Sequence, residues 1–414
     1  MRSGAVITPK RLISILLPLC LMLSACRPDF EPAPPSTISH NLSMINSSYR
    51  LGHTLLNADT EHPNQLNSPI SLMLGLGMLA EGTSDEARQE IEAAIGCSSE
   101  EISALIQGLR PLEKNWESVD PGGELDPLPV LHIANRIVLD DELKARRNFR
   151  DDLARYHDAN IEQTDLSSAE ATKMLDAWVK KHTAGLIEKS AIEPKEDLAL
   201  VLQNTLLMAA MWQEPFKASD TEEGEFTTAG GQAIQVPFLR GDQTVSSISS
   251  NGWQAIRMPY MVRFAANFLL PPEGTDPRSL TPEELRQMLI ELRSTKEDTV
   301  QVAIPKLDLK VKMDLQEGLK AAGINKVFDA QTDPFSRITE ETPLKLGQAI
   351  QQTRLLVDEQ GTIAAAATEV GVEFIAAPVP PEASFIADRP FLMVINDDDL
   401  DMPFFMISVG DPSQ

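Results

Sequence analysis

The spacing of hydrophobic positions is helical in the first part of the chain. The run Ile70–Ala80 is apolar nearly all round and follows Pro69, which predicts a buried helix with proline in its first turn. Thr83–Glu86 has the form of a capping box, and Gly96 ends the amphipathic run after it. Two further helices are predicted, over residues 146–157 and 168–183.

Strand-like segments dominate the rest of the chain. They are short runs rich in β-branched and aromatic residues, and they cover residues 131–139, 199–211, 254–260, 264–270, 299–304 and 344–357. Near the end, Phe391–Ile395 and Phe404–Val409 flank a turn of asparagine and aspartates and predict a hairpin. Helices first and strands later indicate an α+β fold.

An alanine-rich stretch, residues 357–374, is compatible with either type of element. Counted with a period of two from Thr362 to Val372, one face carries only threonine, alanine and valine, and all the charge lies on the other face. This is typical of a strand with one buried side. The same residues also suit a helix with Thr362 as N-cap, so the local sequence leaves helix and strand open.

The composition describes a globular chain with a marked acidic excess. Of 414 residues, 42% are hydrophobic and 23% charged, and the formal net charge is −25. Without residues 1–25, which hold three basic and no acidic side chains, the charge is 33 − 61 = −28. Such a chain is repelled by nucleic acid and by anionic membrane surfaces, so neither is an expected partner. With six histidines, no metal site and no cofactor are expected.

The N-terminus has the pattern of a targeting segment. Three basic residues precede the apolar run Leu12–Leu23, which is too short to span a bilayer, and Leu23-Ser-Ala-Cys26 follows. This ending resembles a bacterial lipobox, in which Cys26 becomes the lipidated N-terminus. The alternative is an ordinary secretory signal with an incidental cysteine. Lipidation predicts a cell-envelope protein, with Arg27 after the cysteine favouring the outer membrane, whereas the alternative predicts secretion.

The remaining organisation follows from these segments. We expect a signal peptide over residues 1–25, a lipidated cysteine with a proline-rich tether over 26–40, and a single domain over 41–414. Membrane contact is expected only through the lipid, and a monomer is expected. Cys20 would leave with the signal, so Cys97 would be the one cysteine of the body and no disulfide could form within it.

Six segments, in this order along the chain, resemble motifs of the serpin family. They are Asn64–Ser71, Ala134–Arg136, Trp178–Thr183, the two pieces Leu202–Leu206 and Met211–Phe216 of one strand, Val357–Thr362 and Phe385–Leu392. The resemblance implies about eight to nine helices around three β-sheets, with an exposed reactive-centre loop over about residues 359–384. It also implies a "shutter" region beneath the central sheet, at Ser68, Ser71, Asn204 and Gln351, and a "breach" region at Trp212.

Two positions depart from the family pattern. Gln351 stands where many members have a shutter histidine, and Asn67 stands where an aromatic residue is usual. An amide can still form hydrogen bonds, so the fold is expected to persist with altered shutter energetics. We expect no single histidine titration to govern opening of the sheet.

The resemblance implies a protease inhibitor that is cut as a substrate and then inserts its loop into the central sheet. The expected hinge comprises Glu359, Gly361, Thr362, Ala364, Ala365, Ala366, Ala367 and Thr368. Its inward positions 362, 364, 366 and 368 carry only threonine or alanine, and Gly361 gives the backbone its freedom. A charged or bulky inward side chain there would cost several kcal/mol and stall insertion, and none is present. The hinge therefore favours an inhibitor.

Counting along the family's usual hinge places the cut bond at Ile375–Ala376, with Ala376–Ala377 as the alternative. An aliphatic or small residue before the bond suits an elastase-like serine protease. A papain-like cysteine protease that selects Phe374 is the second expected target class. Arg354 and Arg389 belong to flanking strands, so trypsin-like targets are not expected.

Two other functions compete with inhibition. A non-inhibitory serpin fold acting as a surface binding protein would be cleaved without inserting its loop. An enzyme is not expected, since the sequence has no Gly-x-Ser-x-Gly, His-Glu-x-x-His or P-loop motif. No catalytic residue is assigned, and Ser68 and Ser71 beside Asn204 are interpreted as buried structural groups.

Overall fold

The computed structural model describes residues 41–59, 62–113, 115–120, 123, 125–126, 128–362 and 383–414. The predicted signal peptide, the tether and most of the alanine-rich stretch lie outside the described residues. Within them the chain forms eight α-helices: α1 Leu42–Ala58, α2 Pro69–Glu81, α3 Asp85–Ile95, α4 Ser99–Leu109, α5 Arg147–His157, α6 Ala169–His182, α7 Pro282–Ser294 and α8 Gln316–Ala321.

The strands form two sheets in the described part of the chain. The six-stranded sheet has the order β10-β11-β12-β4-β2-β3, and the nine-stranded sheet has the order β1-β15-β14-β8-β7-β6-β9-β13 with β5 also on β6. The bounds are β1 Gln65–Asn67, β2 Val130–Asp140, β3 Ile161–Thr164, β4 Leu200–Met211, β5 Glu222–Thr227, β6 Ala233–Ser250, β7 Trp253–Pro259, β8 Phe264–Leu270, β9 Asp298–Pro305, β10 Leu307–Asp314, β11 Ile350–Val357, β12 Gly361–Thr362, β13 Ala383–Ile386, β14 Phe391–Asp397 and β15 Met402–Val409.

The predicted α+β class is confirmed, and one long strand explains the sheet count. Residues 238–245 of β6 pair with β9, and residues 246–250 of the same strand pair with β7. The family resemblance implies three sheets, and two of these meet along β6. Because β6 runs through both of them without a break, the two form one continuous nine-stranded sheet.

Helix α2 occupies the centre of the molecule. All of its residues are buried, and it packs against β15 on one side and β4 on the other. Its first turn is capped by Ser68, whose Oγ accepts a hydrogen bond from the amide of Ser71 at 3.3 Å. A helix that is apolar all round can be stable only between two other layers, as the sequence predicted.

Two predicted boundaries were wrong for local reasons. The N-cap of α3 is Ser84 and not Thr83, because the Thr83 hydroxyl donates instead to the carbonyl of Ala80 at 2.7 Å. The strand predicted from residue 344 begins only at Ile350. Before it, the amide of Leu346 donates to Val327 at 2.7 Å, which holds the chain away from the sheet.

A buried ion network joins the helices of the first half. Arg88 donates to the Glu81 carboxylate at 2.6 Å. The same carboxylate lies 3.3 Å from His157 Nε2 and accepts a hydrogen bond from Ser99. Burial alone would raise the pKa of Glu81, but the hydrogen bonds from His157, Ser99 and Arg88 outweigh it and lower the pKa to about 2.

Replacing Glu81 should therefore destabilise the fold in a pH-dependent way. Because its folded pKa lies below the unfolded value, the carboxylate stabilises above about pH 4.5, and that stabilisation is lost as the pH falls toward 2. Glu81→Gln should lower the free energy of unfolding by about 3 kcal/mol at pH 7, measured by urea unfolding. The difference from the unmodified chain should shrink below pH 4.5.

Glu86→Gln is the matched control, since Glu86 is exposed and pairs with Lys326 at 2.8 Å. It should hardly move the urea midpoint, because exposed ion pairs contribute little. An equal effect of the two substitutions would contradict the role assigned to the buried network.

Candidate functional site

The first residues of the predicted hinge already lie inside the six-stranded sheet. Strand β12, which consists of Gly361 and Thr362, stands between β11 and β4 and is antiparallel to both. Thr362 pairs with Val357 on one side and Ala210 on the other. The six residues from Val357 to Thr362 therefore turn back on themselves and enter the sheet.

A tight turn makes this reversal possible. The amide of Asp358 donates to the carbonyl of Gly361 at 3.0 Å, and the Asp358 carboxylate accepts the amides of Gln360 and Gly361 at 2.9 and 3.2 Å. An aspartate that binds the backbone two residues ahead is a typical turn former. Burial raises the pKa of Asp358, although these backbone hydrogen bonds partly offset the effect.

Gly361 is required at the point where β12 meets β4. A Cβ at this position would lie 2.0 Å from the carbonyl oxygen of Ala210 and 2.9 Å from Leu125. Backbone atoms cannot give way at such a distance, so no larger residue fits. The glycine predicted to give the hinge its freedom also lets two backbones approach closely.

Three side chains at the breach hold the end of β12. Tyr260 stacks on Trp212 with ring centroids 4.4 Å apart, and the Tyr260 hydroxyl forms a hydrogen bond with the hydroxyl of Thr362. Trp212 Nε1 donates to the carbonyl of Asp358 at 3.0 Å. All three side chains are buried, and burial raises the pKa of Tyr260, so its hydroxyl stays protonated.

Glu359 is fixed outside the sheet by a cation and a hydroxyl. Its carboxylate lies 2.8 Å from Lys306 Nζ and accepts a hydrogen bond from Thr221 at 2.8 Å. Burial alone would raise the pKa of Glu359, but these partners outweigh it and hold the pKa below its ordinary value. Glu359 thus anchors the turn between β11 and β12 to two other segments of the chain.

The predicted shutter residues form one hydrogen-bonded group beneath the sheet. Gln351 of β11 bonds both backbone groups of Ser68, accepting from its amide at 3.0 Å and donating to its carbonyl at 3.2 Å. Asn204 of β4 donates to the carbonyl of Ser71 at 2.9 Å and to Asn135 of β2 at 2.6 Å. The start of α2 therefore links strands on both sides of β12.

The segment after α6, residues 183–199, crosses the sheet where β4 and β11 face each other. It is tied to β11, because Gln352 bonds the backbone of Ala191 and Lys189 at 2.6 and 3.1 Å, and Arg354 donates to Leu186 at 3.3 Å. We call residues 183–199 the connector. Small voids beneath it are lined by residues of both β4 and β11. Among the described strands, β4 and β11 are joined only through β12.

Other predicted site residues lie outside the described part of the chain. These are the remaining hinge positions Ala364, Ala365, Ala366, Ala367 and Thr368, the three residues of the two candidate cut bonds (Ile375, Ala376 and Ala377), and Cys26. Cys97 is described and buried, and burial raises the pKa of its thiol, which makes it a poor nucleophile.

Comparison with known proteins agrees with this geometry. A family model described as serpin, serine protease inhibitor, matches residues 45–412. The chain belongs to the serpin family. This confirms the family resemblance drawn from the six sequence motifs.

Curated relatives of this serpin carry the names of protease inhibitors. Alpha-1-antiproteinase S of Cavia porcellus is 28% identical over 417 residues, which cover 98% of each chain. Alpha-1-antitrypsin-like protein GS55-MS of Ictidomys tridecemlineatus is 29% identical over 384 residues, covering 91% of this chain and 90% of the relative.

Two solved structures share the fold. The native state of the thermophilic serpin tengpin matches with a TM-score of 0.80 at 22% identity, covering 93% of this chain and 98% of tengpin. Human thyroxine-binding globulin in complex with thyroxine matches with a TM-score of 0.77 at 22% identity, covering 92% of this chain and 100% of the globulin. At this identity the likeness supports the fold and carries no function.

Two negative findings apply to the described residues. None of their helices has both the length and the apolar run needed to cross a bilayer. No three of their histidine, cysteine, aspartate and glutamate side chains form a group suited to a metal ion.

Sequence reasoning missed the residues from across the fold that hold β12 and the turn before it. Tyr260, Lys306 and Thr221 come from three separate strand regions and meet the hinge only in the folded chain. Lys306 in particular is a third basic residue close to the loop in the folded chain, besides Arg354 and Arg389. A signal for Tyr260 exists in the sequence, since it ends a predicted strand at residues 254–260.

Tyr260→Phe should loosen β12 without unfolding the body. The substitution removes the partner of a buried hydroxyl, which costs about 1 kcal/mol and corresponds to a roughly fivefold faster local opening. Hydrogen exchange measured by mass spectrometry should show faster exchange in the peptide that contains Gly361 and Thr362. Tyr156→Phe, at a partly buried position of α5, should leave that peptide unchanged, and a similar effect in both variants would refute the contact's role.

Proposed function

We propose that this serpin is a suicide-substrate protease inhibitor. A target protease attacks the loop and forms an acyl-enzyme, the freed loop inserts between β11 and β4, and the attached protease is displaced before it can deacylate. The observation that carries the proposal is β12, since the strand to be inserted already has its first two residues in place.

The pairing of β12 predicts where later residues would go. The partners 362 and 210 sum to 572, and the partners 362 and 357 sum to 719. Continued in that register, residue 364 would lie between Met208 and Leu355, and residue 368 would lie between Asn204 and Gln351. Alanine would thus meet apolar neighbours, and the hydroxyl of Thr368 would meet the two shutter amides.

Insertion of a full strand would be strongly favourable. A new central strand gains two ladders of hydrogen bonds, on the order of ten bonds at about 1 kcal/mol each before packing is counted. Residues 362, 364, 366 and 368 share one face and are all small in this sequence, so none opposes burial. The uncleaved chain would hold that free energy in reserve, because the loop is still connected at both ends.

The proposed target follows from the loop sequence. With Ile375 before the cut bond, or Ala376 in the alternative register, the loop suits the small apolar pocket of an elastase-like serine protease. Phe374 makes a papain-like cysteine protease the second class. The names of the relatives support a protease as partner but not the particular class.

We also propose a cell-envelope location for the mature inhibitor. This rests on the lipobox-like Leu23–Cys26 and the proline-rich segment after it, with Cys26 as the lipidated residue. The tether of residues 26–40 would keep the domain away from the lipid surface. Secretion of the mature chain without a lipid is the alternative.

Thr362→Arg tests the mechanism at a described residue. Thr362 is fully buried, and an unpaired guanidinium buried in its place would cost several kcal/mol. In the variant, β12 should therefore leave the sheet, and the loop should not insert. The variant should be cut as a substrate but form no SDS-stable complex with an elastase-like protease, whereas the unmodified chain forms one. Thr227→Arg, at an exposed position of β5, should behave like the unmodified chain.

Two results would contradict the proposal. If Thr362→Arg formed the complex as efficiently as the unmodified chain, insertion past residue 362 would not be required. If the unmodified chain is cut by elastase-like, chymotrypsin-like and papain-like proteases without any stable complex, the non-inhibitory binding function would replace inhibition. Mass spectrometry of the released fragment would also identify the cut bond.

A further inference from the structure

Two histidines join α6 to the six-stranded sheet. Nε2 of His132, in β2, lies 2.8 Å from Nδ1 of His182, the last residue of α6. Aromatic rings surround the pair: Trp116 stacks on His132 with centroids 3.6 Å apart and planes 1° from parallel, and Trp178 lies 4.6 Å from His182. The contact is therefore a defined junction between one helix and one strand.

The position of this junction matters for opening the sheet. Residue 182 is followed directly by the connector, which is bonded to β11 through Gln352 and Arg354. The helix and the connector thus bridge β2 and β11, on opposite sides of the interval that β12 has entered. If β4 and β2 move away from β11, one end of the bridge must release.

Proton counting limits the charge that the pair can hold. When both rings are neutral, one nitrogen donates and the other accepts. One proton can be added without loss, since a protonated ring still donates to a neutral one. A second proton puts N–H groups on both facing nitrogens, so the hydrogen bond is lost and two cations face each other.

The charged groups around the junction oppose that second proton. Arg136 of β2 lies over the ring of Trp178 at 4.9 Å, and Lys181 precedes His182 on α6. Burial, followed by the charges of His132, Lys181 and Arg136, lowers the pKa of His182 to about 4. β4 places the apolar Leu207 opposite His132.

On the remaining sides, the carboxylate of Glu113 is 3.7 Å from Nδ1 of His132 and can accompany the first proton. The end of α5 contributes His157 and Asp158 to the lining of the adjacent cavity, where Asp158 is paired with Arg110 of the 3₁₀ turn Arg110–Glu113.

Two other charged groups near the junction have partners of their own. His157 is held by Glu81, and Arg136 also pairs with Glu162. Among the described residues, the one carboxylate facing the pair within 4 Å is thus Glu113, which supports a single positive charge.

We propose that the His132–His182 pair is an acid-sensitive latch that holds α6 on β2 and releases it when both rings are protonated, which lowers the barrier to loop insertion. The proposal rests on the inhibitory function proposed above and adds its regulation. It is distinct from the shutter position, where Gln351 cannot titrate.

The sign of the effect follows from linkage. A histidine with a lowered folded pKa favours the state in which it is released as the pH falls from the ordinary 6.5 toward about 4. For one coupled proton, the ratio of released to attached α6 rises by at most about tenfold for each pH unit in this window. Because His182 is partly exposed, screening by solvent reduces the total size of the effect.

Hydrogen exchange of α6 tests the latch without any protease. The exchange of the peptide covering residues 169–182 is compared between variants at each pH from 7 to 4, so that the intrinsic pH dependence cancels. In the unmodified chain, protection should fall below pH 6.5 relative to His182→Gln, whose amide stays neutral and can still bond His132. His132→Gln serves as a second variant if the first folds poorly, and His62→Gln, on an exposed histidine, is the matched control.

The outcomes separate this inference from the proposed function. The latch would be overturned if His182→Gln or His132→Gln lost the same protection as the unmodified chain. It would also be overturned if the unmodified chain kept full protection down to pH 4. Faster SDS-stable complex formation with a papain-like protease at pH 5 than at pH 7, in the unmodified chain relative to His182→Gln, would support it. Complex formation with equal pH dependence in both would overturn the latch and leave inhibition standing.

Discussion

Pairing of two residues, Gly361 and Thr362, between β11 and β4 is the interaction on which the rest of the structure depends. β11 and β4 run parallel to each other and could pair directly. Instead they are joined through β12, a two-residue strand that is antiparallel to both. The turn at Asp358, the close approach at Gly361 and the hydroxyl pair of Thr362 and Tyr260 all fix this one entry point. The sheet is therefore held open at one end.

The surrounding groups resist further opening from different directions. Beneath the sheet, Gln351 and Asn204 connect β11 and β4 to the start of α2. Above it, the connector bonds to β11 while α6 is attached to β2 through its terminal histidine. In the proposed mechanism these contacts must rearrange before a strand is added, so they would supply the barrier. The hydrogen bonds of the added strand would supply the driving force, and the small side chains of the hinge would allow its burial.

The sequence predicted what depends on short-range patterns. Helix α2 was predicted because it is apolar all round, and β7 and β8 were predicted within one residue because turn residues bound them. The hinge was predicted from the family-like motif Val357–Thr362 rather than from the alanines, and Gly361 and Thr362 are its residues described within the sheet. What it could not predict were contacts set by packing. The partner of Gln351 is the backbone of Ser68, 283 positions away, and the hydroxyl that meets Thr362 belongs to Tyr260, 102 positions away. The histidine junction likewise needs β2 and α6 to be docked.

The central claim is that the sheet accepts the rest of the loop once the loop is cut. The most direct test is the melting temperature of the body before and after a single cleavage within the reactive-centre loop. Insertion of a strand with on the order of ten new hydrogen bonds predicts a rise on the order of 10 °C. An unchanged or lower melting temperature after complete cleavage would contradict the account.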